Sequence, residues 1–504
     1  MRWSRRLLGA VAATLALGLT ATACDSPGGP DPVPSSPGAT PRPFTVMSTD
    51  AVRVTDPAAI TDAASGSFAL NVFQRLMTTA PGAPVLKPDA ARDCQYTAAT
   101  TYTCTLPEGL TFANGHPLTS SDVKFSIQRA LRLDVPGSSA SSLSSLRRIE
   151  TPDDLTVRFL LSRVDTRFGW ALAAPAASLV DEEVYDADRV RDPDQETAGS
   201  GPFTVIEFDP QQTAPTQIRF ARFDRYKGFT PATIDTLVYR TVADSATLED
   251  AMTRGTVDVV WRGLNTAAAT RLTQQVQPDG QTPSGFSPRV LPGARVLQLE
   301  WSPQAPARAN RNLRQAIAVA LQGDRTLDSV VPRGVPGYAS TFPLGGRAKP
   351  RVTWKNRINL TLGYDATAPN AADLANQIRT RLEDTGGLSV RLRPDGTDVD
   401  LTLVDRKAWT STGLAWLQPY LDDPLPASAD TVEATENAFR AVPFTDEADS
   451  DRLLASLQRQ AAADGLVLPI SQADETVWVR RGADVVAASY GPGWQLGLWG
   501  ITRD

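Results

Sequence analysis

One histidine, His116, stands in a chain of 504 residues. That scarcity removes most histidine-dependent chemistry: HExxH zinc sites and Ser-His-Asp triads are excluded unless His116 itself serves. Its setting, Asn114-Gly115-His116-Pro117, reads as a turn between a strand and a helix, where a solvent-facing side chain is expected. No GxSxG elbow or P-loop occurs, and the nearest candidate, Gly199-Ser200-Gly201-Pro202, is too short for either. The carboxylate pairs Asp153-Asp154 and Glu182-Glu183 are neighbours in polar loops, where adjacent side chains diverge and read as solvated charge. The chain is therefore expected to be no enzyme and to need neither cofactor nor metal. An exported hydrolase built on His116 is the alternative from that class.

Basic runs are missing too. The formal charge is −6, and setting aside residues 1–23, which hold Arg2, Arg5 and Arg6 and no acid, leaves about −9. A negative balance argues against nucleic acid and against electrostatic docking on anionic lipid. Beyond the N-terminus no apolar run approaches the ~20 residues that cross a bilayer.

The N-terminus itself carries an address. Three arginines precede the apolar stretch Leu7 to Leu19, and Ala21-Thr22-Ala23 lead to Cys24. The apolar stretch is too short to span a membrane and reads as a secretory signal. Small residues before a cysteine at that point resemble a bacterial lipoprotein signal, which implies that Cys24 is lipidated and becomes the mature N-terminus; an ordinary signal cleaved near Ala23 is the alternative. Residues 25–43 then hold seven prolines and three glycines in 19 positions. Such a stretch cannot offset its ordering entropy by burial and suits a solvated tether, so residues 24–44 are assigned to it. The expected location is the outer face of the cytoplasmic membrane.

Of three cysteines, Cys94 and Cys104 remain. They flank CQYTAATTYTC, nearly symmetric about Ala99, so a hairpin would set Cys94 opposite Cys104 and Tyr96 opposite Tyr102 on one face. In an oxidising compartment this reads as a structural disulfide worth about 2–3 kcal/mol. CxxC spacing is absent, against redox catalysis.

The rest of the chain mixes short strands with amphipathic helices, as an α/β protein should. Val123, Ile127, Ala130 and Leu131 form one apolar stripe on a helix opened by Ser120 or Ser121, with Asp122 in its first turn. Leu313, Ala316, Ile317, Ala320 and Leu321 form another, after a strand in which Leu297, Leu299 and Trp301 alternate. Leu374, Ile378 and Leu382 suggest a third helix, Leu453, Leu457 and Ala461 a fourth, and Val399, Leu401 and Leu403 a half-buried strand. Alternation of strand and helix over residues 297–404 predicts a lobe with a largely parallel sheet.

The string YTCTLPEGLTFANGHPLTSSDVKFSIQRAL, residues 102–131, resembles the signature of the family 5 extracellular solute-binding proteins, the peptide- and nickel-binding receptors of ABC importers. Asn114 stands where that pattern usually has aspartate, and Asn-Gly serves the turn equally well. Further stations follow in order: Asp56-Pro57-Ala58, a helix from Asn71-Val72-Phe73 through Leu76, Gly199 to Phe203, Arg222 to Tyr226, Gly255 and Asp258, Leu313 to Ile317, Phe342-Pro343 and Leu468-Pro469-Ile470. The resemblance implies a bilobal periplasmic-binding-protein-like fold of type II with a hinge between lobes. Lobe I would span residues 45–290, with an extra subdomain at about 70–195 braced by the disulfide. Lobe II would span 291–475, and 476–504 would return to lobe I.

The family's ligand segment has the form W-x-x-D-Y-x-D-P, whose first aspartate often neutralises a peptide's α-ammonium. Residues Trp416 to Pro424 are the similar string here, with Pro419 in that aspartate's place. The resemblance thus implies Trp409, Trp416, Tyr420, Asp422 and Asp423 as ligand contacts, with core packing the competing use of each aromatic. The implied function is a lipid-anchored, monomeric receptor that takes peptides or peptide-like solutes to membrane permease subunits. A glycan, siderophore or metal chelate as ligand, and a sensor role on the same scaffold, are the alternatives.

Overall fold

The computed structural model describes residues 42–79, 85–208, 216–346, 356–366, 368, 370–410, 412–443, 445–485 and 495–503. Cys24, the export segment and most of the proline-rich tether lie outside them. Residues 43–504 form one compact unit.

Strand β1 (Phe44–Ser48) is followed by α1 (Ala63–Val72) and a short hairpin, β2 (Met77–Thr79) and β3 (Leu86–Pro88). Next come β4 (Asp93–Ala98), β5 (Thr101–Thr105), α2 (Ser120–Leu133), β6 (Leu146–Asp153), β7 (Thr156–Leu161) and α3 (Phe168–Ala171). The chain continues through β8 (Phe203–Phe208), β9 (Thr216–Arg222), β10 (Thr236–Thr241), α4 (Ser245–Arg254), β11 (Val259–Val260) and α5 (Thr266–Gln274). After β12 (Phe286–Trp301) come α6 (Arg311–Leu321), β13 (Ile358–Tyr364), α7 (Ala371–Glu383), β14 (Leu388–Pro394) and β15 (Leu401–Arg406). Helices α8 (Gly413–Asp422), α9 (Ala429–Ala441) and α10 (Glu447–Asp464) precede β16 (Val467–Arg480), β17 (Ala483–Val485) and β18 (Ile501–Arg503).

The three largest hydrophobic clusters among the described residues organise these elements. Phe44, Phe68, Phe203, Phe220, Trp261 and Val479 belong to the first, which we call lobe I. Residues from Leu76 to Leu179 enclose a second around the four-stranded sheet β4-β5-β7-β6. The third, lobe II, runs from Leu299 to Ile470. Val180 and Tyr185 pack in the lobe I cluster.

A single ten-stranded sheet, ordered β14-β13-β15-β12-β16-β11-β1-β10-β9-β8, runs through both lobes. Its two long strands, β12 and β16, are antiparallel, and their register breaks between Leu291 and Arg295. Pro292 offers no N–H to the ladder there, and Gly293 adopts φ +64 with its N–H donating to Asp474 Oδ1 at 2.8 Å. On one side of this bulge the ladder belongs to lobe I, on the other to lobe II. The expected largely parallel sheet of lobe II is mixed: β13 is parallel to β14 and β15, but β12 is antiparallel to β15 and β16. The antiparallel half follows from β12 and β16 crossing between lobes in opposite directions.

Local sequence accounts for the helices. Thr119 caps α2 by accepting from Ser121 N at 3.2 Å, while Asp122 Oδ2 accepts from Thr119 N at 2.8 Å, a capping box. Val123, Ile127 and Ala130 are its buried face, and Leu131 lies at its exposed edge. Buried Arg129 on the same helix forks onto Asp56, its Nη1 2.9 Å from Oδ1 and its Nη2 2.5 Å from Oδ2, tying the subdomain to lobe I. Helix α1 ends at Val72, earlier than expected, because Phe73 turns extended and Gly201 N donates to Val72 O at 2.8 Å. A side chain at Gly199 or Gly201 would strike that backbone, which explains the glycines of the 199–203 motif as close packing.

Cys94 and Cys104 are joined by a disulfide, opposite each other in the β4–β5 hairpin, with Tyr96 opposite Tyr102. His116 lies in its turn with the side chain 42% exposed, but its Nδ1 is 2.7 Å from Oδ2 of buried Asp181.

Candidate functional site

The lobes face each other across a cleft floored by the β12–β16 crossing. Strands β1 and β11, parallel to each other, end there from one lobe, and β15, parallel to β13 and running the opposite way in the sheet, ends there from the other; open α/β sheets place ligands at such strand ends. Just past β1 is Asp50, just past β11 is Arg262, and at the end of β15 are Asp405, Arg406 and Lys407. The crossing strands add Arg295 and Glu475.

These side chains form one buried network. Arg262 Nε lies 2.7 Å from Asp50 Oδ2 and 3.7 Å from Glu475 Oε1, and its Nη2 donates to Asp405 Oδ2. Arg295 Nε stands 3.8 Å from Asp405 Oδ2. Lys407 Nζ lies 3.5 Å from Asp405 Oδ1 and donates to Ala294 O at 2.6 Å. Three cations and three carboxylates therefore balance across the lobe boundary. Arg262 holds φ +62, a left-handed conformation rare for a residue with a side chain, and such strain concentrates at functional sites.

The environment separates the two aspartates. Burial, reinforced by Asp365, Asp405 and Glu475, outweighs Arg262 and pushes Asp50 up to about 6. Burial would also raise Asp405, but Lys407, Arg262 and Arg295 together hold it well below the usual carboxylate range. Burial lowers Lys407 despite Asp405 beside it, whereas Arg262 is held charged because its three carboxylates overcome its own desolvation. Asp50 Oδ1, Arg262 Nη1 and both Glu475 carboxylate oxygens are buried and make no hydrogen bond to the protein. Buried polar groups normally find partners, and of these Asp50 and Arg262 border an open space from which water or a polar solute can reach them.

Two spaces open from the network. The first, about 940 Å³ including part open to solvent, is lined by Asp50, Arg53, Arg262, Arg295, Asp365 and Asp405 among others. The second, about 1510 Å³ on the same measure, lies between residues 134–141 of the subdomain and Glu300, Arg308, Pro419, Asp422 and Asp423 of lobe II. Arg406, Lys407 and Trp409 line both.

The residues expected to contact ligand divide. Trp409 stands on the cleft, and Asp422 and Asp423 open on the second space, with Asp422 accepting from Ser141 Oγ at 3.3 Å and Asp423 Oδ2 2.9 Å from Arg308. Trp416 and Tyr420 do not reach it. They lie four apart on α8 and face inward: Trp416 packs with Val296, Leu327 and Val331, and Tyr420 sits in the lobe II core with its hydroxyl donating to Asp464 Oδ2 at 2.6 Å. Pro419, half-buried on the same helix, lines the second space together with Ala415 and Gln418. The charged network was missed from sequence, although a signal existed: Asp405 shares strand parity with buried Leu401 and Leu403, and Glu475 with buried Val477 and Val479.

A second set of contacts closes the far side of the cleft. Asp165 of the subdomain and Arg440 of α9, side chains 0% and 4% exposed, meet with Nη1 3.0 Å from Oδ2. Thr166 N donates to Arg440 O at 2.8 Å, Arg167 Nη2 to Ser450 Oγ at 2.8 Å, and the Arg167 guanidinium lies 4.5 Å from the Phe439 ring centre.

Among the described residues no group of histidine, cysteine and carboxylate side chains could hold a metal ion, and no helix is long and apolar enough to cross a membrane. The fold matches solved bilobal binding proteins. AgaA of A. tumefaciens R10, solved with agropinic acid, superposes with TM-score 0.78 at 19% identity, covering 92% of this chain and 98% of that one. DppA of Helicobacter pylori, solved with the peptide STSA, gives TM-score 0.75 at 18% identity, covering 91% and 98%. In sequence, the probable D,D-dipeptide-binding periplasmic protein DdpA of Escherichia coli K12 is 26% identical over 306 residues, and the match spans about half of each protein, 56%. The family model of bacterial extracellular solute-binding proteins, family 5, matches residues 86–435. The chain belongs to that family of solute-binding proteins.

Proposed function

We propose that the protein is the receptor of an ABC importer, capturing peptides or peptide-like solutes in the interlobe cleft and passing them to membrane permease subunits. The observation that carries this reading is the balanced, buried cluster of Asp50, Arg262, Arg295, Asp405, Lys407 and Glu475, with polar atoms left over, at the junction of the lobes. A buried charge is costly without a partner, so a cluster offering both signs suits a ligand that brings both, such as a peptide with free termini. Asp405, held ionised, takes the ammonium in the first space, in place of the aspartate for which this chain has Pro419, and Arg262 and Arg295 face the carboxylate. The lobes pivot at Pro292-Gly293 and close over the ligand, so affinity derives from contacts made only when closed. The names of DdpA and the STSA complex of DppA support peptides as the class.

The same fold around agropinic acid in AgaA, together with Pro419, favours a non-peptide solute as the second reading. Calorimetric titration with di- and tripeptides separates them. Binding that Asp405→Asn and Arg262→Met each weaken at least ~10-fold, about 1.4 kcal/mol, supports the peptide reading; no heat with any peptide removes it. Lipid anchoring at Cys24 and a monomeric state complete the proposal. Cys24→Ser then releases the protein into the medium, and retention of the variant would count against the anchor.

A further inference from the structure

We propose that Trp409 is a partition that sets ligand length, confining the ligand to the first, charged space and shutting off the second; this rests on the peptide reading above. The two spaces share one wall, made of Arg406, Lys407 and Trp409. Arg406 is committed to Glu300, with its Nε 3.0 Å from Oε1, and Lys407 to Ala294 O and Asp405. Trp409 belongs by chain to lobe II but packs against the core of lobe I. Its indole sits on Gly66 of α1, where an added Cβ would stand 2.7 Å from Cζ3 and 3.3 Å from Cη2.

Gly66 has no other reason to be glycine. It lies inside the helix with its N–H donating to Asp62 O at 2.9 Å, and its φ is not positive, so the backbone makes no demand for it. Glycine is disfavoured in a helix interior, and the seat it leaves for the ring accounts for it. The neighbouring backbone is pinned as well, since Gln495 Nε2 donates to Ala408 O at 3.0 Å. The partition is therefore formed jointly by both lobes and exists only while they meet. Polar ends are read in the first space, where Asp50 Oδ1 and Arg262 Nη1 are left without hydrogen-bond partners, whereas in the second the cations Arg308 and Arg406 are taken up by Asp423 and Glu300. A ligand long enough to enter both must lift the indole from its seat.

The test is calorimetric titration of the full chain with di-, tri- and penta-alanine, for wild type, Trp409→Ala, Trp409→Phe and Gly66→Ala. The expected result is wild type binding the two short peptides at least ~10-fold tighter than the pentapeptide, with Trp409→Ala and Gly66→Ala narrowing that gap to about threefold or less. Trp409→Phe, which keeps an aromatic ring on Gly66, lies between and serves should the alanine variant fail to fold. A gap unchanged in variants whose circular dichroism matches wild type overturns the partition while leaving the peptide reading standing. Equal affinity of wild type for short and long peptides also overturns it. Failure of every peptide to bind removes the peptide reading, and the length proposal falls with it.

Discussion

Replacing Arg440 by leucine removes the ion pair with Asp165 from the far-side contacts, leaving those of Thr166 and Arg167, and tests whether that pair belongs to the closed state or to the fold. Asp165 keeps its bonds to Ser145 Oγ at 2.7 Å and Arg167 N at 3.0 Å but loses its cation while fully buried. Breaking a buried ion pair from one side costs about 3–5 kcal/mol. If the lobes separate, Asp165 regains water in the open form, so the penalty falls on closing and not on folding. Ligand affinity should then drop by about 100- to 4000-fold, at about 1.4 kcal/mol per factor of ten. The melting temperature without ligand should move by less than about 1 °C, since a loss of 1 kcal/mol in folding shifts a unit the size of residues 43–504 by about 1 °C. Calorimetric titration and scanning calorimetry on the same preparation read both. A melting temperature lowered by about 3 °C or more with affinity within about threefold of wild type would refute the reasoning and make the pair a static strut.

Asp50 gives a pH signature. Its pKa in the fold is raised to about 6, so the folded protein binds the proton more tightly than the unfolded chain, and stability falls as pH rises from about 4 to about 6 and then levels. Asp405 is shifted the opposite way, and its contribution is lost only below pH 4, outside this window. Melting curves of wild type and Asp50→Asn across pH 4–7 should differ by a slope confined to that interval; parallel curves would contradict the assignment. Removing both Cys94 and Cys104 by serine should cost about 2–3 kcal/mol of stability. It should also weaken ligand binding, because Tyr96 on that hairpin donates to Asp165 O; equal affinity with lower melting would limit the disulfide to bracing. Thr119→Ala, which unmakes the α2 capping box, should destabilise by about 1 kcal/mol in urea unfolding with affinity unchanged.

The parts of this fold that local chemistry dictates are readable in the sequence. The α2 stripe with its cap, the α6 stripe and the symmetric cysteine hairpin depend on residues within one or two turns of each other. The family string at residues 102–131 supplied the two-lobed architecture that local patterns alone would not. The site was less legible for a physical reason: Asp50, Arg262, Asp405 and Glu475 meet only because separate strands end at one place, and no short window contains two of the elements involved. The parity of Asp405 with Leu401 and Leu403 was the available clue, an acid on a buried strand face that must find a cation. Trp416 and Tyr420 were assigned to the cleft by motif position, but their spacing of four is that of one helix face, and on α8 that face is the core. The largely parallel sheet was inferred from alternation of strand and helix, which is silent on the direction of strands that cross between lobes.

The central claim is that the cleft between the lobes holds a solute bearing charge of both signs. Native mass spectrometry on protein purified gently from its own host, followed by denaturation to release what it carries, tests this most directly. The account predicts release of short peptides with free termini, with the adduct lost in Asp405→Asn. A defined non-peptide mass would replace the ligand class, and an adduct that survives both Asp405→Asn and Arg262→Met would contradict the site.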